Sequence, residues 1–196
     1  MKVVLATRNQ GKVREFAQAL SALGWMVEGL PETAPQVVED GLTFEANARK
    51  KAEAAAAFLQ APVLADDSGL QVDALDGQPG VFSARYAGED ATDTANNLKL
   101  LQALEGVPAE RRSARFVCVL ALAQPNAPTV LARGECEGII LEAPRGEGGF
   151  GYDPLFFVPE LQKTFAELSL EEKNRISHRT KAIRSLIELV REGDRL

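Results

Sequence analysis

Two spacings of apolar residues alternate along this chain. Residues 2–6, Lys-Val-Val-Leu-Ala, form a short apolar run that predicts a buried strand, and Thr7-Arg8-Asn9-Gln10 follows as a polar turn. Val13, Phe16, Ala17, Leu20 and Leu23 then recur at helical spacing until Gly24, which predicts a helix with one apolar face. Residues 25–28 suit a second strand, and Pro31 and Pro35 bracket a loop. Thr43 can cap a helix running to about Gln60, with Ala48, Ala52, Ala55, Ala56 and Leu59 as its small-residue face and Pro62 beyond its end. Val63 to Ala65 predicts a strand ending in Asp66-Asp67-Ser68-Gly69, with Leu70 to Leu75 as a separate extended segment.

Further on, Thr92 to Leu104 reads as a helix in which Leu98, Leu101 and Leu104 recur every third residue. Arg115–Ala123 is a nearly continuous apolar run of strand length, and Thr129–Leu141 is rich in β-formers, with Gly134 and Gly138 marking bends; the two are expected to pair. A glycine-rich loop spans Gly146 to Gly151. Ser169 and Glu172 form a capping box ahead of a helix carrying Ile183, Leu186, Ile187 and Val190. Helices interleaved with strands predict an α/β fold: a mixed, twisted sheet with flanking helices, in which ligands bind beyond the carboxyl ends of strands. Both Thr7-Arg8-Asn9 and Asp66-Asp67 are expected at such ends. A length of 196 residues fits one domain over 1–196.

Charge sharpens this picture. Lys and Arg total 22 against 28 Asp and Glu, a net −6, which argues against nucleic acid and anionic membranes as partners. The distribution is uneven: residues 1–14 carry +4, residues 173–184 carry +5, and the remainder holds −15. Cys118 and Cys136 lie in apolar or alternating runs without a further ligand at metal spacing and are expected to be buried packing residues. The first apolar run is too short for a signal peptide, and no 18-residue apolar stretch occurs, so a reducing cytoplasm is the expected location.

Arg8 and Lys12 flank a predicted helix start, where the helix dipole disfavours cations; a bound phosphate would resolve that conflict, with Thr7 and Asn9 as further donors. Simple capping is the alternative. The segment lacks P-loop spacing. Asp66-Asp67, with Glu39-Asp40 from the preceding loop, supplies the adjacent carboxylates that a hard cation such as Mg²⁺ tolerates, and one of them could act as base toward water; an ordinary Asp-Ser-Gly turn is the alternative. Gly146-Glu147-Gly148-Gly149-Phe150-Gly151 matches G-x-G-x-x-G in letters, but it leads into Tyr152-Asp153-Pro154 and not a helix, which argues against a dinucleotide site. Four of the chain's twelve aromatics, Phe150, Tyr152, Phe156 and Phe157, fall within eight residues. Phe156 and Phe157 are expected in the core, while Phe150 and Tyr152 could stack on a base or anchor the loop. His178, the single histidine, and Arg179 read as donors to an acceptor-rich ligand, or as capping and surface residues.

Six ordered motifs now resemble one family. They are Thr7-x-Asn9-x-x-Lys12, Val38-Glu39-Asp40-Gly41-x-Thr43-Phe44, Ala65-Asp66-Asp67-Ser68-Gly69-Leu70, residues 79–85 (Pro-Gly-Val-Phe-Ser-Ala-Arg), Gly148-Gly149-Phe150-Gly151-Tyr152-Asp153-Pro154 and Ser177-His178-Arg179. Together they resemble the inosine triphosphate pyrophosphatase family, which removes noncanonical purine nucleoside triphosphates (dITP, ITP, XTP) from the nucleotide pool. The resemblance implies an elongated fold with two lobes around a central cleft, a homodimer, and Mg²⁺ as cofactor. It makes Thr7, Arg8, Asn9, Gln10, Gly11 and Lys12 the triphosphate segment, Asp67 the general base and a metal ligand, Glu39 a second metal ligand with Asp66 close by, and Ser68 a substrate contact. Phe150, Gly151, Tyr152 and Asp153 would wrap the base, and Lys173, His178 and Arg179 would complete the nucleoside pocket. Arg8 stands where the family often has glycine, which leaves its role open. A pyrophosphatase for modified pyrimidine nucleotides and a nucleotide-binding protein without turnover are the alternative readings.

Overall fold

A computed structural model describes residues 1–193; the last three residues of the predicted 1–196 span lie outside the described residues. The elements are β1 (Lys2–Leu5), α1 (Gln10–Leu20), β2 (Met26–Gly29), α2 (Phe44–Leu59), β3 (Val63–Val72), α3 (Asp93–Ala103), β4 (Ser113–Ala123), β5 (Val130–Ile140), β6 (Phe156–Val158), β7 (Lys163–Thr164), α4 (Leu170–Ile176) and α5 (His178–Gly193), with short 3₁₀ turns between several of them. The seven strands form one sheet in the order β2-β1-β3-β4-β5-β6-β7. β1 runs parallel to both β2 and β3, and β6 runs antiparallel to β5 and β7, so the predicted mixed α/β sheet is present.

The chain divides into two compact units: residues 1–67, 118–134 and 179–196, and residues 68–117 and 135–178. Each has its own core. In the first, α1 buries Val13, Phe16 and Leu20, which join Val3, Leu5, Leu64, Cys118, Leu120 and the α5 residues Ala182, Ile183 and Leu186. In the second, Leu70 and Val72 pack with Leu100, Leu104, Phe116, Cys136, Tyr152, Phe156 and Phe165. Both cysteines are buried packing residues, as expected.

Four local expectations need correction. Asp66-Asp67-Ser68-Gly69 does not end a strand: β3 runs unbroken for ten residues through it, with both aspartates buried. Apolar residues on either side carry the strand forward, and lysines described below compensate the carboxylates that burial would otherwise penalise. On α3 the buried positions are Asn96 and Leu100, and the C-cap Leu104 continues that i, i+4, i+8 face, whereas Leu98 is 56% exposed, so the every-third-residue pattern did not define the buried face. The C-terminal helical region is two helices. The Ser169–Glu172 capping box opens α4, Ser177 adopts an extended conformation, and α5 starts at His178. Phe156 is fully buried as expected, but Phe157 points to the opposite side of its strand, half-buried with the Arg145 guanidinium 5.3 Å from its ring centre.

Gly138 lies within β5, not at a turn; a Cβ there would stand 2.6 Å from the Phe156 ring, so the strand needs glycine for β6 to pack beside it. No helix among the described residues is long and apolar enough to cross a membrane.

Candidate active site

In the first unit, the turn after β1 is organised by its own side chains. Asn9 caps α1, its Oδ1 accepting from the backbone N–H groups of Gly11 (2.9 Å) and Lys12 (3.2 Å), and Thr7 Oγ1 accepts from Asn9 N at 3.2 Å. Thr7 and Asn9 accept here through Oγ1 and Oδ1, and a hydroxyl and an amide can donate as well as accept. Two of the helix's N-terminal N–H groups are satisfied before any anion arrives. Arg8 turns away from the helix start. Its Nη2 donates to Ala34 O (2.8 Å) and Glu32 O (3.3 Å), tying the loop after β2 to the turn after β1. Gln10 and Gly11 are exposed.

Lys12 Nζ binds both oxygens of Asp66, at 2.9 and 3.2 Å. Burial alone would raise the Asp66 pKa, but Lys12, with Arg179 and Lys51 behind it, overrides that and holds the carboxyl below its usual range. Arg179 sits with this group, its Nη1 donating to both Glu15 oxygens at 3.1 and 3.2 Å. By its packing it belongs to the first unit.

The loop carrying Glu39 is held by one face of α2. Asn47 Oδ1 accepts from Gly41 N (2.8 Å), Lys50 Nζ donates to Asp40 (2.6 Å), and Lys51 Nζ donates to Glu39 Oε1 (3.0 Å). Lys51 also donates to the main-chain oxygen of Asp66 (2.7 Å) and stands 4.0 Å from Asp67 Oδ1. Among the described residues, no three carboxylate, imidazole or thiolate groups converge as a preformed metal cage. The donor set around Lys51 nevertheless suits a hard cation: two carboxylates and a main-chain carbonyl already converge on one positive charge. Lys51 was missed in the sequence. The available signal was the polar triplet at positions 47, 50 and 51, spaced i, i+3, i+4 in an alanine-rich helix.

In the second unit, the glycine-rich loop presents Phe150, 64% exposed, with Lys173 Nζ 4.9 Å from its ring centre. Lys173 pairs with buried Asp153 at 2.5 Å, and Asp153 Oδ2 also accepts from Phe150 N. Burial pushes the Asp153 carboxyl above its usual range, with Lys173 offsetting part of the effect. Gly149 is compulsory because its φ is +73° and a Cβ would stand 2.1 Å from Asp153 Oδ2. Gly151 is clamped from α3: its N–H donates to Asp93 Oδ2 (2.7 Å) and its oxygen accepts from Asn97 Nδ2 (2.9 Å). Tyr152 is an anchor, buried with its hydroxyl donating to Ser83 O at 2.7 Å; burial pushes its pKa up. His178 lays its ring on Phe116, centres 5.0 Å apart, so one face is used in packing. Ser68 is half-buried on β3. Asp93 and Asn97 were not singled out from sequence, and Ser83 entered only within the motif of residues 79–85; no spacing links them to the loop they hold.

A hollow of about 610 Å³ lined by Arg49, Glu53, Gln60 and residues 123–129 includes none of the predicted site residues.

The fold and these two constellations define an α/β protein with a buried carboxylate–lysine centre and an aromatic, glycine-rich loop. The Ham1 family model matches residues 3–189, and the chain belongs to that family. It is 58% identical over 192 residues to the dITP/XTP pyrophosphatase of Desulforamulus reducens, covering 97% of this chain and 96% of that one. It is 55% identical to an enzyme of the same name from Thermus thermophilus, covering 98% and 93%. Among solved structures, the Ham1 protein of Staphylococcus aureus superposes with a TM-score of 0.91 at 46% identity, covering 99% and 100% of the two chains. A HAM1 protein from Coxiella burnetii gives 0.92 at 44%, covering 98% and 99%. The resemblance read from the six motifs is borne out.

Proposed function

We propose that this chain is a nucleoside triphosphate pyrophosphatase that hydrolyses dITP, ITP, XTP and dXTP to the monophosphate and pyrophosphate, keeping them out of DNA and RNA. The observation that carries the reading is the buried Asp66–Asp67 pair balanced by Lys12 and Lys51, in a chain 58% identical over nearly its full length to a dITP/XTP pyrophosphatase. A protein that only bound nucleotides would gain nothing from two buried negative charges beside a triphosphate.

The residues divide by task. In the first unit, Lys12, Lys51 and the start of α1 face the triphosphate, and Asp66 stays ionised as the partner of Lys12. Asp67 takes the proton of the attacking water, and attack at the α-phosphorus expels pyrophosphate, whose charge Lys12 neutralises. Glu39 and Asp67 would hold Mg²⁺, which when bound neutralises phosphate oxygens. In the second unit, Phe150 stacks on the base while Asp153, Gly151 and Lys173 fix the loop that carries it. His178, with one face held by Phe116, donates from its ring edge to the 6-oxygen of hypoxanthine or xanthine. Adenine offers a donor at that position and would leave the histidine unpaired, a penalty that reaches ~10⁴-fold in sites built for hydrogen bonding. Residues 1–196 act as one functional domain, as a homodimer in the cytoplasm.

The test is turnover of ITP, dITP, XTP, dATP, GTP and modified pyrimidine triphosphates with and without Mg²⁺, identifying the phosphate released. Pyrophosphate from ITP and XTP is expected. Orthophosphate as primary product, equal use of dATP, or preference for a pyrimidine would overturn the reading.

A further inference from the structure

The geometry points to Lys51 as a resident counter-cation that holds the metal's place in the free protein and must leave it before a divalent ion can bind. The inference rests on the reading of Glu39 and Asp67 as metal ligands and goes beyond it.

Lys51 rises from α2 with its side chain only 16% exposed. Two of its protons go to Glu39 Oε1 and Asp66 O, and Asp67 Oδ1 lies 4.0 Å away. These oxygens come from two separate places in the chain: the loop before α2, and β3, which supplies a main-chain carbonyl and the next residue's side chain. They converge on one ammonium, and hard oxygens around one positive charge are also what Mg²⁺ or Mn²⁺ takes. A divalent ion could not share them with an ammonium a few ångströms off, because like charges at that range repel strongly where water is scarce. In the free protein Lys12 does not fill the role, being paired with the Asp66 carboxylate.

Lys51 is suited to leaving. Its charge sits on a flexible four-carbon stem, and an ammonium is a compact charge without the fixed fork of a guanidinium. Once displaced, it needs a new anion, and the triphosphate supplies one. Lys51 thereby couples the two ligands: nucleotide lowers the cost of releasing the carboxylates, and by thermodynamic reciprocity metal raises nucleotide affinity. The free protein should hold divalent metal weakly.

The experiment is calorimetric titration of Mn²⁺ into nucleotide-free protein. Lys51→Met is expected to bind Mn²⁺ about tenfold or more tightly than the parent chain, because a charge opposing the ion has been removed. Lys51→Arg, which keeps the charge, should stay as weak as the parent. Unchanged or weaker binding in Lys51→Met overturns the proposal, as does equal tightening in Lys51→Arg. Thermal melts establish that each variant is folded, and Lys51→Gln carries the same comparison should the methionine variant not fold. Adding Glu39→Gln to Lys51→Met separates the two readings: loss of the tight binding supports both, whereas its retention overturns the ligand role of Glu39 and the displacement with it.

Discussion

Asp66 and Asp67 are adjacent and chemically identical, and their surroundings separate them. Lys12 sits on Asp66 at 2.9 Å, while the ammonium of Lys51 is 4.0 Å from Asp67. A carboxylate locked in an ion pair is a poor base, which is why the proposed mechanism gives the proton-accepting role to Asp67. Asp67→Asn is expected to lower kcat by ~10²–10⁴-fold, the usual contribution of a positioned base, while ITP binding remains measurable by calorimetry. Arg8 behaves otherwise: its guanidinium is spent on loop carbonyls, so Arg8→Gly should cost ~1 kcal/mol of stability in urea denaturation through the lost hydrogen bonds. Asp153 offers a pH signature. Its folded pKa is raised by burial, so the folded state binds more protons than the unfolded chain across the interval between the two values. Its contribution to stability is therefore fullest below the ordinary carboxylate pKa and lost as pH rises through the folded value. Subtracting the melting curve of Asp153→Asn from that of the parent across the acidic range should show this decline, and a difference that grows with pH would contradict it.

At the scale of elements, the glycine-rich loop depends on α3. Asp93 and Asn97, one turn apart, hold both backbone polar groups of the single residue Gly151, which stands between Phe150 and Tyr152. Asp93→Ala combined with Asn97→Ala is expected to raise the KM for ITP several-fold with a smaller change in kcat, because the stacking ring loses its fixed position while the carboxylate centre keeps its own contacts; steady-state kinetics of both single variants and the pair checks this. Helices α1, α2 and α3 were legible from caps and spacing, with Asn9, Thr43 and Thr92 at their N-termini. The course of β3 was not. A local reading takes Asp-Asp-Ser-Gly for a turn because the lysines that make these carboxylates tolerable are distant in sequence, Lys12 54 residues before Asp66 and Lys51 15 before it. The break at Ser177 was hidden for a similar reason, since Ser169, Glu172 and the apolar residues of α5 fit one continuous helix as well as two. The candidate residues were readable as types, but the protein partners of Arg8, Tyr152 and Arg179 were not: loop carbonyls, the Ser83 carbonyl and Glu15.

At the scale of the molecule, the net charge of −6 hides pairing more than it reveals surface. The basic residues that made segments 1–14 and 173–184 conspicuous are largely engaged: Lys2 with Glu28, Lys12 with Asp66, Lys173 with Asp153, Arg175 with Glu171 and Arg179 with Glu15. On the proposed reading, a triphosphate meets cations that already have partners, and its binding exchanges them. Chelation by EDTA should abolish turnover and excess Mg²⁺ restore it, read as pyrophosphate release; activity that survives chelation would remove the metal from the reaction.

The division of the chain also bears on how it is made. The first core needs Ala182, Ile183 and Leu186 from α5 beside Val3, Leu5 and Phe16 from the opposite end of the sequence. A ribosome delivers the first of these partners long before the last. The growing chain must therefore carry an incomplete apolar surface until α5 emerges, and its dependence on holding chaperones should fall only after that helix is released. A chain cut before residue 178 would lack those three core side chains. Adding residues 178–196 as a separate peptide should restore solubility, a fragment-complementation experiment for which the fold itself supplies the cut site.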